Sequence, residues 1–263
     1  SLTTRLARNS PILMPEALLA ALAEPALPLI ALVSLLAGLV YGFAGFGSAL
    51  IFMPLSAIFL PPAVAIGAFS LSALASLVTV VPGAWRVADR KVVGVMLLAA
   101  IVATPMGVAL LRIAPADGIR LVISCLTLIT LAVLIFGWKV PAKGGWGLRV
   151  GIGGLSGIFG GATGLNGPPV ILFNLGSDQP VEVTRANLAV FLTISSLSFL
   201  PQLWVQGLLS ERALWLGIIL LLPYAIGTRL GAWAFAPHRA RFYRALAFGL
   251  IGLAGLSGLP IWD

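Results

Sequence analysis

Apolar residues do not alternate with polar ones along this chain; they run. Stretches of about 20 apolar residues are what a helix needs to cross the ~30 Å hydrocarbon core of a bilayer. Eight such segments can be read, at about Leu27–Leu60, Ala63–Val81, Val92–Leu111, Leu121–Trp138, Val150–Gly176, Ala186–Val205, Ala213–Ala236 and Arg244–Leu259. The pattern predicts an all-α, polytopic transmembrane protein. The first and fifth segments stand apart. At 34 residues the first would extend ~51 Å as one helix, well beyond the bilayer core. Both carry glycine clusters, GLVYGFAGFGS and GLSGIFGGATGLNGPP, and both are expected to be broken or hairpin helices, giving 8–10 crossings in all.

A shift of 119 residues aligns the two halves. It brings Gly38 onto Gly157, Gly42 onto Gly161, Gly45 onto Gly164, Pro82 onto Pro201 and Trp85 onto Trp204. The expected layout is an N-terminal tail over residues 1–26, a first transmembrane repeat over 27–138, a basic linker over 139–149 and a second repeat over 150–263. Together they form one membrane domain. If each broken segment enters and returns on the same side, the loop Lys and Arg residues divide ten against three, with only Arg112, Arg120 and Arg212 in the minority. The positive-inside rule favours that division, which makes the repeat inverted and puts both termini outside.

Composition narrows the function. Only 9% of residues are charged, against 60% hydrophobic, and the mean hydropathy is +1.09. Soluble domains carry about a quarter charged residues, so a soluble enzyme or nucleic-acid binder is excluded. The net charge of +8 then reads as a topology signal and a contact with lipid headgroups. One cysteine, Cys125, and one histidine, His238, offer no thiolate cluster or histidine-rich metal site. No cofactor is expected. The eight acids, Glu16, Glu24, Asp89, Asp117, Asp178, Glu182, Glu211 and Asp263, all fall outside the apolar runs. That leaves no carboxylate proton relay, no acidic cation site and no acid–base pair for an enzyme.

The polar features point instead to an anion. In NGPPV (Asn166–Val170) a helix-start signal, proline in the first turn, falls in the middle of an apolar segment. The frame-matched stretch FGSAL (Phe46–Leu50) offers Ser48 as a cap for an equivalent start. A helix N-terminus carries unpaired N–H groups and partial positive charge. Two such ends facing one another near the midplane would form an anion site. The competing reading is that the glycines only allow close helix packing, since Gly38/Gly42 and Gly157/Gly161 fit the GxxxG spacing. Arg229, in YAIGTRLGAWAF, reads as the basic residue inside a span. Snorkelling to the interface and substrate binding stand level for it. Arg185 reads as a loop charge or as a second basic group for the ligand.

The segment GLSGIFGGATGLNGPPVILFNL followed by VTRANL, with its fainter echo AGLVYGFAGFGSALIFMPL, resembles the sulfite exporter TauE/SafE family, also known as the toluene-sulfonate uptake permease group. The resemblance covers nearly the whole chain. It implies a multi-pass protein of the bacterial inner membrane that moves sulfite, sulfoacetate or similar sulfur anions. It points to Gly45, Phe46, Gly47 and Ser48 in the first half. In the second it points to Thr163, Gly164, Asn166, Gly167 and Pro168, with Arg185 behind them. The expected partners are the anion and membrane lipid, with no nucleic acid; a homodimer is left open. Export by alternating access is the leading expectation. A passive anion channel, a cation-coupled importer of organosulfonates and a non-transporting scaffold are the alternatives.

Overall fold

The structure is a computed structural model that describes residues 13–137, 145–177, 179–234 and 240–261. His238, Asp178 and Trp138 lie outside the described residues, as does most of the linker. Among the described residues the chain is helical throughout, without strands. The first half opens with α1 (Leu13–Leu22), α2 (Leu27–Ala44) and α3 (Ser48–Ser56). It continues with α4 (Pro62–Ser72), α5 (Ala75–Thr79), α6 (Val81–Val87), α7 (Arg90–Ile113) and α8 (Ala116–Phe136). The second comprises α9 (Trp146–Thr163), α10 (Gly167–Leu175), α11 (Val181–Leu197), α12 (Phe199–Val205), α13 (Glu211–Ala234) and α14 (Ala240–Ser257).

The described part of each of the eight apolar segments is mainly helical. Among the described residues six helical runs are long and apolar enough to cross a membrane, α4 with α5 and α11 with α12 each counting as one, and Phe242–Ser257 adds a shorter apolar one. The outer faces are apolar as lipid requires; on α7, Val102 and Leu98 are 78% and 67% exposed. Trp146, Trp204 and Trp233 sit exposed near helix ends, where an aromatic belt belongs. The protein is a polytopic all-α membrane protein.

The 119-residue shift carries helix ends onto helix ends. Leu27 and Ala44, bounding α2, fall on Trp146 and Thr163, bounding α9; Ser48 and Ser56 of α3 fall on Gly167 and Leu175 of α10. Pro62 of α4 falls on Val181 of α11. The long crossing helices each carry an internal proline, Pro105 in α7 and Pro223 in α13.

The halves are laced together rather than set side by side. α2 lies along α13 of the other half, and α9 lies along α7. Glycine makes both crossings possible. A Cβ on Gly38 would stand 2.6 Å from the Tyr224 carbonyl oxygen, and one on Gly161 would stand 2.5 Å from that of Thr104. Backbone approach this close leaves no room for a side chain. The two readings of the glycine clusters are therefore both present, at different residues. Gly38, Gly42, Gly157 and Gly161 serve the crossings, whereas Gly45, Gly47 and Gly164, with φ of 78°, 95° and 76°, serve the breaks.

One expectation needs correction, and helices reach into two of the flanking segments. Helix α9 starts at Trp146, so the end of the basic linker is helical. The N-terminal tail contains α1, which packs against α13 with Ala21 fully buried, and Glu24 pairs with Arg212. Arg120 is not a loop charge. It is buried in the early turns of α8 and donates from Nε to the Gly258 carbonyl at 3.1 Å, satisfying a carbonyl beyond the end of α14.

Candidate functional site

Each half breaks its opening segment in the same way. α2 ends at Gly45, whose left-handed backbone lets its N–H return to the Tyr41 carbonyl at 2.8 Å. α9 ends likewise at Gly164, whose N–H reaches the Gly160 carbonyl at 2.7 Å. Glycine ends a helix this way without the steric cost a Cβ would bring. Thr163 secures the second break: its hydroxyl donates to the Phe159 carbonyl at 2.6 Å and accepts from Leu165 N–H at 3.2 Å.

The chain then restarts, and here the halves differ. In the first, Gly47 is the flanking residue and Ser48 is already helical. Ser48 therefore does not cap, and its hydroxyl lies beside that of Tyr224. In the second, Asn166 occupies the cap position, but its side chain makes no cap bond. Its amide donates instead to α11, to the Leu192 carbonyl at 3.3 Å, to Ser196 Oγ at 3.2 Å and to Ser195 Oγ. The Asn166 backbone carbonyl accepts from the Ser156 hydroxyl. Neither start is capped by a side chain, so the first-turn amides stay available. α3 offers three of them, on Ser48, Ala49 and Leu50. α10 offers only that of Gly167, because Pro168 and Pro169 have none.

Both restarts line one small cavity. Gly47, Ser48, Ala49 and Leu50 come from the first half, and Leu165, Asn166, Gly167 and Ile171 from the second. Tyr41, Phe69, Ala73, Leu192, Thr193, Ser196 and Tyr224 complete it. Its volume is about 20 Å³, room for about one water. No charged side chain lines it among the described residues; its polar side chains are the hydroxyls of Tyr41, Ser48, Thr193, Ser196 and Tyr224 and the Asn166 amide.

A second cavity of about 460 Å³ lies beyond, lined by Phe43, Phe46, Asn174, Thr184, Arg185, Leu188, Tyr243, Arg244 and Phe248 among others. The two share no lining residue. One turn along α2, or along α11, passes from one to the other. At that step the Tyr41 hydroxyl ties the helices together, against the Ala189 carbonyl at 2.7 Å and Thr193 Oγ1 at 2.6 Å.

Among the candidates from sequence, Gly47, Ser48, Asn166 and Gly167 meet at the small cavity. Phe46 and Arg185 face the larger one. Gly45, Thr163, Gly164 and Pro168 shape the breaks without lining either. The Arg185 guanidinium donates to the Gly42 carbonyl, a cation at the C-terminal end of α2, and its stem lies over Gly45. Arg229 lines neither cavity and is exposed on α13. Arg229→Gln is expected to leave anion flux in reconstituted vesicles unchanged within a factor of two or so, as a snorkelling side chain would; a loss of flux would return it to the site. Tyr41 and Tyr224 were missed. The chain has three tyrosines, two of them inside apolar segments, and that scarcity was the available signal.

The breaks, the crossings and the cavity all fall within residues 30–258, which match the family model described as sulfite exporter TauE/SafE. The chain belongs to the TauE/SafE family. No curated protein and no solved structure matches it. As a TauE/SafE protein it is a multi-pass membrane transporter of sulfur-containing anions. The family match includes both restarts and the helix carrying Arg185.

Proposed function

We propose that this protein exports a small sulfur oxyanion, sulfite or a short organosulfonate, from a bacterial cell across its inner membrane. The anion binds between the starts of α3 and α10. The observation that carries this reading is the convergence of both helix starts on one cavity, with no carboxylate among the described residues that line it. Amides at a helix N-terminus favour an anion in a medium without water. At about 20 Å³ the cavity is too small for an ion of four or more heavy atoms, so binding requires the restarts to part. That suits a carrier whose inverted halves rock about the site. Export needs no coupling ion, since expelling one negative charge against an inside-negative potential is favourable by ~2.3 kcal/mol per 100 mV.

The test is flux from proteoliposomes loaded with sulfite or methanesulfonate under an imposed voltage. Saturable, voltage-driven efflux of these anions is the expected result. Movement of a cation or neutral solute without them would overturn the reading, and single-channel currents would make the protein a channel.

A further inference from the structure

From the cavity's lining we infer that the ion carried is a monoanion, so that sulfite crosses as hydrogensulfite and doubly charged oxyanions are refused. The inference rests on the function proposed above and specifies the charge of its substrate. The restarts bring Ser48, Ala49, Leu50 and Gly167 to the lining, and the first-turn N–H groups of a helix supply partial charges only. Among the described residues the titratable side chains lining the cavity are Tyr41 from α2 and Tyr224 from α13; α3, α4, α10 and α11 contribute none there. The nearest cation along α11 is Arg185, which lines the larger cavity; its guanidinium is bonded to the Gly42 carbonyl, next to Tyr41, and reaches the small cavity only through the field it exerts on that residue.

The cost of taking an ion out of water grows with the square of its charge, while its attraction to fixed dipoles grows only in proportion. A site of dipoles without a full counter-charge can hold one negative charge far more readily than two. The hydroxyls of Ser48, Thr193 and Ser196 can accept as well as donate, so the remaining proton of hydrogensulfite has a partner. Methanesulfonate and other simple alkylsulfonates carry one charge at every physiological pH, whereas sulfate, and sulfoacetate with its added carboxylate, carry two. Sulfite passes between the states near neutrality.

The experiment measures flux of sulfite, methanesulfonate and sulfate into vesicles holding the full chain, from mildly acidic to mildly alkaline pH, with protein-free vesicles subtracted. At low fixed total sulfite, flux should fall about tenfold for each pH unit above its second ionisation. Methanesulfonate flux should stay flat, and sulfate should neither cross nor compete. Transport of or competition by sulfate comparable to methanesulfonate overturns the inference, as does sulfite flux that rises with its dianion. A parallel fall in methanesulfonate flux also overturns it, since the protein's own titration would then set the pH dependence. If no sulfur anion moves at any pH, the proposed function fails and the inference with it.

Discussion

Ala49→Pro is expected to weaken anion binding by about 10- to 100-fold while leaving the protein folded, because it deletes one hydrogen bond to a charged ligand, worth ~1.5–3 kcal/mol. The substitution copies what the other half already does. Position 49 corresponds under the 119-residue shift to Pro168, which occupies the second position of α10. Proline fits the first turn of a helix, whose N–H groups have no intrahelical partner. The loss should appear as a raised half-saturation concentration for sulfite, with thermal stability changed little. Unchanged affinity in a folded Ala49→Pro protein would mean that the α3 amides do not touch the anion.

Asn166→Leu should act differently, on stability as well as flux. The Asn166 amide is turned away from the helix start and holds three acceptors on α11, the Leu192 carbonyl and the Ser195 and Ser196 hydroxyls. Leucine leaves these without their donor at a site where Asn166 itself is 1% exposed. Unsatisfied buried groups of this kind cost about 1–3 kcal/mol each, and a total near 3 kcal/mol lowers the melting midpoint by roughly 5–10 °C. Flux should be lost together with that stability, because α10 is no longer held to α11. If flux disappears while the melting midpoint stays put, the amide serves the ligand and not the seam.

The comparison of these two residues shows what the sequence made legible. That both segments break was readable, because a 34-residue apolar run cannot fit a bilayer and glycine followed by proline marks a new start. Which atoms the break exposes was not. Ser48 was read as a cap, yet the left-handed turn at Gly47 moves the start by one residue. Asn166 was read in the right position, but its side chain answers to α11, a helix nearly thirty residues on. The membrane spans were legible from the bilayer's thickness alone. The pairing of α2 with α13 was not, because small residues permit close approach without naming the partner. Arg229 could have been placed more sharply. Gly227 and Gly231 mark the face of α13 turned to α2, Thr228 is fully buried beside them, and Arg229 falls off that face. Arg120 offered no such clue, since its carbonyl partner belongs to the far end of the chain.

The lacing of the halves sets an order for biosynthesis. Ser34 of α2 meets the Leu220 carbonyl of α13 across 186 residues of sequence. At a translation rate of ~5–20 residues per second, α2 waits roughly 10–40 s in the membrane before its partner is made. α9, by contrast, follows α7 after one intervening helix. The nascent first half must therefore shelter a bare glycine seam until α13 emerges. Premature release of the chain anywhere before α13 leaves that seam exposed to other apolar helices, which makes truncated products of this protein natural substrates for membrane quality control.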